Sequence, residues 1–349
     1  MAAILLQPSF AQAKDVTKVY GQVRVSIDSN SSDFGNGKKG LGLKSNSSRL
    51  GVKGSLDTNL NNTRLIYQAE MRYGAADEKT AELEWREGYV GLVNKNLGKL
   101  RLGRTSVGYK TTLTKIDPWN DNIPQSRQGG QQGSSALHSS YFNNAIDYVS
   151  PKLNGIQFNA FYATQFDKEG NASPGTGTPG GKGSLHNAGP INSYVGGNAS
   201  GFGVRFSNKT WFFSADSVTL NADGGTKFSN TKAAGKVTNG TGYQVALRYK
   251  TAKGHSVAAF YEDVSDLNLG TNQYINGIYK LGHTKLIATY GTNSSNSNSY
   301  YKTDSTTYSL GAKYKLNKKS ELFIAYNSRD TGSKTYATTT MGINAKFGY

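Results

Sequence analysis

The sequence predicts an all-β fold: an antiparallel transmembrane β-barrel of about sixteen strands around one lumen. Three observations carry that reading. Apolar residues recur with period two in segments of about 8–11 residues, enough to cross a hydrocarbon layer when tilted. Connectors between the segments alternate between short and long, as a barrel with tight periplasmic turns and longer outside loops requires. Tyrosine, at 22 residues, outnumbers Phe (14) and Trp (3) together. It recurs near segment ends, at Tyr20, Tyr73, Tyr249, Tyr279, Tyr314 and Tyr349, where an interfacial aromatic girdle is expected.

Taken in order, residues 1–13 read as the remnant of a signal peptide. Ala11-Gln12-Ala13 supplies the small residues of a cleavage site after a short apolar stretch, while the cationic start and most of the apolar region are missing. Residues 14–349 then form a single barrel domain. Val19, Gly21, Val23, Val25 and Ile27 alternate with Tyr20, Gln22, Arg24 and Ser26. Leu50, Val52 and Leu56 oppose Arg49, Lys53 and Ser55, and Leu65, Tyr67, Ala69, Met71 and Tyr73 oppose Arg64, Gln68, Glu70 and Arg72. The pattern returns at 243–250 and 308–316, and again at Met341, Ile343, Ala345, Phe347 and Tyr349. Segments 83–93, 155–165 and 210–220 are less regular, with aromatic or apolar residues on both faces.

Short connectors fall at 57–62, 95–98, 152–155, 252–254, 281–282 and 317–319, and long ones at 30–47, 104–143, 166–200, 221–241, 264–271 and 293–304. A soluble β-sandwich would also alternate, but it accommodates neither so many strands nor the alternating turn lengths. In lipid every backbone N–H and C=O must pair, so the sheet closes.

Composition removes other classes. The chain has no cysteine and only four histidines, His138, His186, His255 and His283, so thiolate zinc sites and cysteine nucleophiles are absent. No apolar run approaches the ~18–20 residues of a membrane-spanning helix. The 40 Lys+Arg against 23 Asp+Glu give +17, yet the cations are spread singly rather than clustered on one face, unlike a nucleic-acid domain. His255 and His283 lie at short turns without a neighbouring carboxylate, which disfavours a barrel protease or lipase. Asp77, Glu78, Glu82 and Glu84 read as a solvated turn rather than a cation site. No metal or cofactor is expected.

Several separated pieces together resemble the trimeric Gram-negative outer-membrane general-diffusion porins. Ser48-Arg49-Leu50-Gly51-Val52-Lys53-Gly54 looks like that family's second-strand motif. Trp85-Arg86-Glu87-Gly88-Tyr89-Val90-Gly91-Leu92 and Gly98-Lys99-Leu100-Arg101-Leu102-Gly103-Arg104 look like its fourth and fifth strands. Asp117-Pro118-Trp119-Asn120-Asp121 sits where its long third loop begins, and Phe347-Gly348-Tyr349 resembles the aromatic end read by the barrel-assembly machinery. The resemblance implies a homotrimer in the outer membrane and a third loop, 104–143, folded into the lumen as a constriction. It assigns Arg49, Lys53 and Arg104 to a basic wall facing that loop. The family's third wall arginine has no clear counterpart near Tyr148-Val149-Ser150, although Lys152 is nearby, and the Pro-Glu-Phe-Gly-Gly stretch of some members is absent.

Physics reaches a similar place. A cation on a lipid-facing position near the midplane costs ~2–4 kcal/mol, so alternation sends Arg24, Arg49, Lys53 and Arg72 toward the lumen or the headgroups. Asp117 and Asp121 are then the loop acids opposing the wall, and Arg49 and Lys53 are expected ~7 Å apart along it. Arg101 and Arg104 differ in parity, so both face inward only if the strand ends or bulges at Gly103. The expected function is a water-filled channel for passive diffusion of small hydrophilic solutes and ions, with weak anion preference. A channel selective for one anionic solute is the alternative, ahead of an enzyme or adhesin. Expected partners are outer-membrane lipid and lipopolysaccharide phosphates, besides the permeating solutes.

Overall fold

A computed structural model describes residues 15–32, 39–76, 83–127, 131–139, 141–163, 198–221, 239–294 and 304–348. The expected signal-peptide remnant, three of the four acids at 77–84 and Tyr349 lie outside these residues. The first strands are β1 (Val16–Asn30), β2 (Gly40–Ser45), β3 (Arg49–Asp57) and β4 (Thr63–Arg72). β5 (Glu84–Asn94), β6 (Gly98–Thr105), β7 (Phe142–Val149) and β8 (Ile156–Ala163) follow. Next come β9 (Asn198–Ser207), β10 (Trp211–Asn221), β11 (Gly240–Lys250) and β12 (Ser256–Asp263). The last are β13 (Thr271–Leu281), β14 (Thr284–Ser294), β15 (Ser305–Lys315), β16 (Ser320–Asp330) and β17 (Thr335–Phe347).

Apart from β2 and β3, consecutive strands pair antiparallel, and β1 pairs β17 from Gly21↔Phe347 to Asn30↔Thr338, which closes the sheet. β2 and β3 both pair with β1, β2 along its second half and β3 along its first. They are two halves of one barrel strand, so the closed barrel has sixteen. The break is a bulge: Val23 and Arg24 face three residues, Asn46, Ser47 and Ser48, and Ser47 takes φ 58°. The Ser48 hydroxyl accepts from the Arg24 backbone N–H at 3.0 Å, which replaces the lost ladder bond.

Exposure follows the predicted alternation with the barrel inverted relative to a soluble protein. Apolar side chains such as Val19, Val52, Leu247, Leu310, Ile343 and Phe347 face outward, while Gln22, Ser26, Asn276, Ser309 and Asn344 are buried on the lumen side. Tyr249, Tyr279 and Tyr314 stand on the outer face near the short turns, and Tyr243, Tyr261, Tyr290, Tyr308 and Tyr326 form a second outward row nearer the long loops. Tyr20 departs from the girdle expectation. It is 1 % exposed, points into the lumen and donates to Glu70 at 3.0 Å. The Tyr73 hydroxyl likewise turns away from lipid, to the Gln22 carbonyl.

The long connector between β6 and β7 folds inward. It opens with helix α1 (Gly108–Ile116), which lays Leu113 and Ile116 on Phe212, Ala246, Ala258, Phe260 and Tyr274 of the inner wall. Val107, Tyr109 and Leu137 join a second apolar cluster with Phe142, Phe161, Val218 and Leu220. These contacts explain the irregular segments 155–165 and 210–220. Their inner faces are apolar because the loop, not water, covers them; their outer faces, with Phe158 and Phe213, meet lipid.

Candidate functional site: the neck of the lumen

Asp117-Pro118-Trp119-Asn120-Asp121, expected at the start of the loop, instead follows the C-terminus of α1 in its middle. Trp119 is fully buried against Ile287, Phe323 and Ala325, with the Lys313 ammonium 5.3 Å above its ring. Behind that anchor the chain reverses. Asp121 takes φ 66°, a left-handed conformation that Asp tolerates, and its side chain reaches the far wall.

There it meets the arginines. Arg49 of β3 donates to Asp121 Oδ2, Arg24 of β1 lies 3.6 Å from the same oxygen, and Arg127 of the loop holds Oδ1 at 2.6 Å. Gln22 lies between the two wall guanidiniums; with its amide oxygen toward them it accepts from Arg24 Nε at 3.0 Å and Arg49 Nε at 2.6 Å. Arg49 also stands 3.5 Å from Glu70, which takes a 2.6 Å bond from Arg86 Nε. Burial alone would raise the Asp121 pKa, but Arg49, Arg127 and Arg24 outweigh it and hold the carboxyl well below the usual range. Asp121 therefore stays ionised as the hub of the loop's contact with the wall.

The expected site residues divide accordingly. Arg24, Arg49 and Asp121 come together at the neck. Arg104 arrives there too, because the register shifts between Gly103 and Thr105 where Gly103 takes φ 135°. Its guanidinium lies 4.9 Å from the Tyr141 ring centre and donates to Asn143, while Arg101, still facing inward, pairs with Asp147 at 2.6 Å. The condition set by their parity, a bulge at Gly103, is met.

Arg72 also faces inward as the register partner of Arg49, where it pairs with Glu84. Two other assignments need correction. Lys53 is four residues from Arg49 with Gly51 between, so their Cα atoms lie about 13 Å apart rather than 7. Its ammonium rests 4.4 Å from the Tyr20 ring centre, on the short-turn side of the neck. Asp117 does not oppose the basic wall. It accepts from Trp119 N at 2.9 Å, Ser126 N at 2.9 Å and Tyr274 OH at 3.1 Å, which fixes the loop's turn to β13. Burial raises its pKa against those hydrogen bonds.

Sequence reasoning missed Arg86, Glu70, Arg127 and Lys110. Arg86 shares its inward direction with Glu87 because β5 bulges opposite β4 between Ala69 and Met71. The irregular reading of 83–93 was the one available sign. Lys110 of α1 sits 3.4 Å above the Tyr141 ring, and burial with Arg127 and Arg86 nearby pushes its pKa well below the ordinary lysine value. Loop residues carry no periodicity, so neither Lys110 nor Arg127 had a face to be read from.

Glu262 of β12 anchors the loop's return. It accepts from Tyr109 OH at 2.7 Å, Ser135 N at 2.7 Å and Ser135 Oγ at 2.8 Å, and lies 3.0 Å from His138 Nε2. Ser, His and Glu meet here, but the serine bonds the carboxylate rather than the imidazole and the cluster is closed to solvent. That arrangement lacks the serine–base contact of a hydrolase. Among the described residues no group of three metal-ligating side chains forms.

A closed sixteen-stranded barrel, with one loop folded inward and latched to an arginine wall, has the build of a porin. The chain belongs to the Gram-negative porin family, which it matches over residues 1–349, and is accordingly an outer-membrane protein. It is 25 % identical over 181 residues to an outer membrane porin protein of Bordetella pertussis; the match covers 46 % of this chain and 46 % of that protein, about half its length. The fold is similar to an anion-selective porin from Comamonas acidovorans, with TM-score 0.68 and 16 % identity over 96 % of this chain and all of that one. It is also similar to OmpF of Salmonella typhi in complex with daunomycin, with TM-score 0.66 and 14 % identity over 95 % and 97 % of the two chains.

Proposed function

We propose that the barrel is a water-filled channel through which small hydrophilic solutes and ions diffuse passively, with a preference for anions. The carrying observation is the neck: Arg24, Arg49, Arg86, Arg104 and Arg127 gather there against Asp121, Glu70 and Glu87. Fixed cations in a confined, low-dielectric passage raise the local anion concentration and repel cations. In this reading Asp121 holds the loop to the wall and leaves the remaining positive charge to set selectivity. The short turns face the periplasm, the working unit is a homotrimer, and Phe347 with Tyr349 forms the end that the assembly machinery reads. Lipopolysaccharide phosphates contact the outer loops. The family and fold are those of a channel, and no enzymatic role is proposed.

The test is the zero-current potential in a KCl gradient across a planar bilayer at low salt. Anion preference in the native protein, reduced in Arg49→Ala, supports the reading; a cation-selective native pore overturns it. The effect shrinks at 1 M salt, where the screening length falls to ~3 Å.

A further inference from the structure

The lumen wall on the short-turn side of the loop carries a second cationic feature. Lys280 of β13 stands opposite Lys285 of β14, and Lys285 stands opposite Lys313 of β15. All three are on the inner face, in parity with buried Asn276, Ile287 and Ser309, while Tyr279, Leu286 and Tyr314 face outward. They border a cavity of about 700 Å³ whose lining holds eleven Lys and Arg side chains and two carboxylates, Asp117 and Glu321. Asp117 is occupied by the loop's turn, and Glu321 pairs with Lys313 at 3.1 Å. Among the described residues Lys280 and Lys285 have no ion-pair partner.

Like charges directly opposite one another oppose strand pairing. A wall that sets three lysines in a row therefore gains stability from an anion that bridges them. We propose that this ladder binds linear condensed phosphates, such as pyrophosphate, tripolyphosphate and the phosphate chain of a nucleotide, at the short-turn mouth. The proposal rests on the channel reading above and adds a ligand class and a location.

Spacing supports the choice. Adjacent strands lie ~4.8 Å apart, so the row spans about 10 Å, comparable to a chain of three linked phosphates. Lysine acts on phosphate as a point charge with three rotatable donors and imposes no planar fork, so it fits tetrahedral groups in several orientations. A single orthophosphate meets one or two of these ammonium groups at a time; a chain meets the whole row.

The experiment is block of chloride current in single trimers at pH 7.5 and constant ionic strength. The protein has no cysteine, so Ala252→Cys at a short turn, reacted with a membrane-impermeant thiol reagent, reports which compartment the short turns face. Added from that side, tripolyphosphate is expected to block at least tenfold more tightly than orthophosphate, with pyrophosphate between them. Lys285→Gln and, separately, Lys280→Gln should each weaken the block about tenfold. Lys209→Gln, in a turn outside the cavity, should leave it unchanged. Equal block from both sides, block independent of phosphate chain length, or block unaltered in both ladder variants overturns the site. An anion-selective pore without sided block would remove the ladder alone, whereas a cation-selective native pore would remove the channel reading and be seen in KCl before any phosphate is added.

Discussion

Asp121 is one carboxylate held by three guanidiniums, and its removal is not symmetrical with theirs. Asp121→Asn keeps the shape and the left-handed backbone but leaves Arg24, Arg49 and Arg127 without their shared anion. Truncating one member of a buried pair costs about 3–5 kcal/mol, a loss borne by the loop because the barrel's own ladder is untouched. The expected outcome is a noisier pore of higher conductance, read in single-channel records, in a barrel that still resists unfolding in cold detergent. The pH dependence has a definite sign. Asp121 titrates below its unfolded value of about 4, so its stabilisation is fully present above pH 4 and is lost only as pH falls through the depressed folded value. Asp117 titrates above its unfolded value, so its anchor strengthens as pH falls from neutral. Open-channel noise should therefore stay flat from pH 7 to 5 and rise only in stronger acid; a rise already near pH 6 would contradict the latch. Arg24 and Arg49 were legible because each depends only on parity, and Asp121 because it is one of only two acids in the loop. Lys53 was misplaced by counting two strand positions where there are four.

Among the elements, the bulges decide what period two cannot. Among the described residues the three interruptions, at 46–48, 86–87 and 103–105, fall in β2–β7 around the arginine wall. Each re-aims a side chain that regular alternation would send outward or along the wall. Gly103 is held tightly: a Cβ there would stand 2.3 Å from the Gly88 carbonyl oxygen, at φ 135°. Gly103→Ala should straighten or break the bulge and swing Arg104 out of the neck. The measurable result is a lowered anion preference together with a loss of thermal stability of about 1–3 kcal/mol. Helix α1 was invisible from sequence because it is short and its apolar partners are spread over β10–β13. Their doubly apolar pattern weakened the strand reading where a covered inner face was its cause. Leu113→Ala removes a fully buried side chain from that contact, and ~2–5 kcal/mol is the expected local cost. Faster protease nicking within 106–127, with the barrel intact on an unheated gel, would confirm that the cost is confined to the loop.

For the whole molecule, closure and strand number were legible because alternation over 8–11 residues, repeated with even count, leaves few other folds that pair every backbone group. The seventeenth strand segment was not: β2 (Gly40–Ser45) falls inside the connector expected at 30–47, because only Leu41 and Leu43 alternate there among Gly, Lys and Ser. The C-terminus carries the closing contact. Phe347 is paired with Gly21, and its ring lies where a Gly21 Cβ would be, at 2.3 Å. Deleting 347–349 should leave little folded barrel in outer-membrane fractions, because the closing strand loses both that contact and its outward aromatic. Normal levels of folded barrel on unheated gels would show that closure is secured elsewhere.

The seam between β1 and β17 joins residues more than 300 positions apart, and the loop crosses it from within. Arg24, register partner of Asn344 on that seam, donates to the Asn120 carbonyl at 2.9 Å, and Asn344 reaches Asn122 at 3.5 Å. Unzipping the barrel at its last-formed edge therefore requires the loop to let go first. Bonds of this kind, made after the chain has wrapped into its long-range topology, slow unfolding more than they speed folding. The segment that narrows the passage thus also serves as a bolt on the door, and the lifetime of the folded barrel should shorten whenever the passage is widened by freeing it.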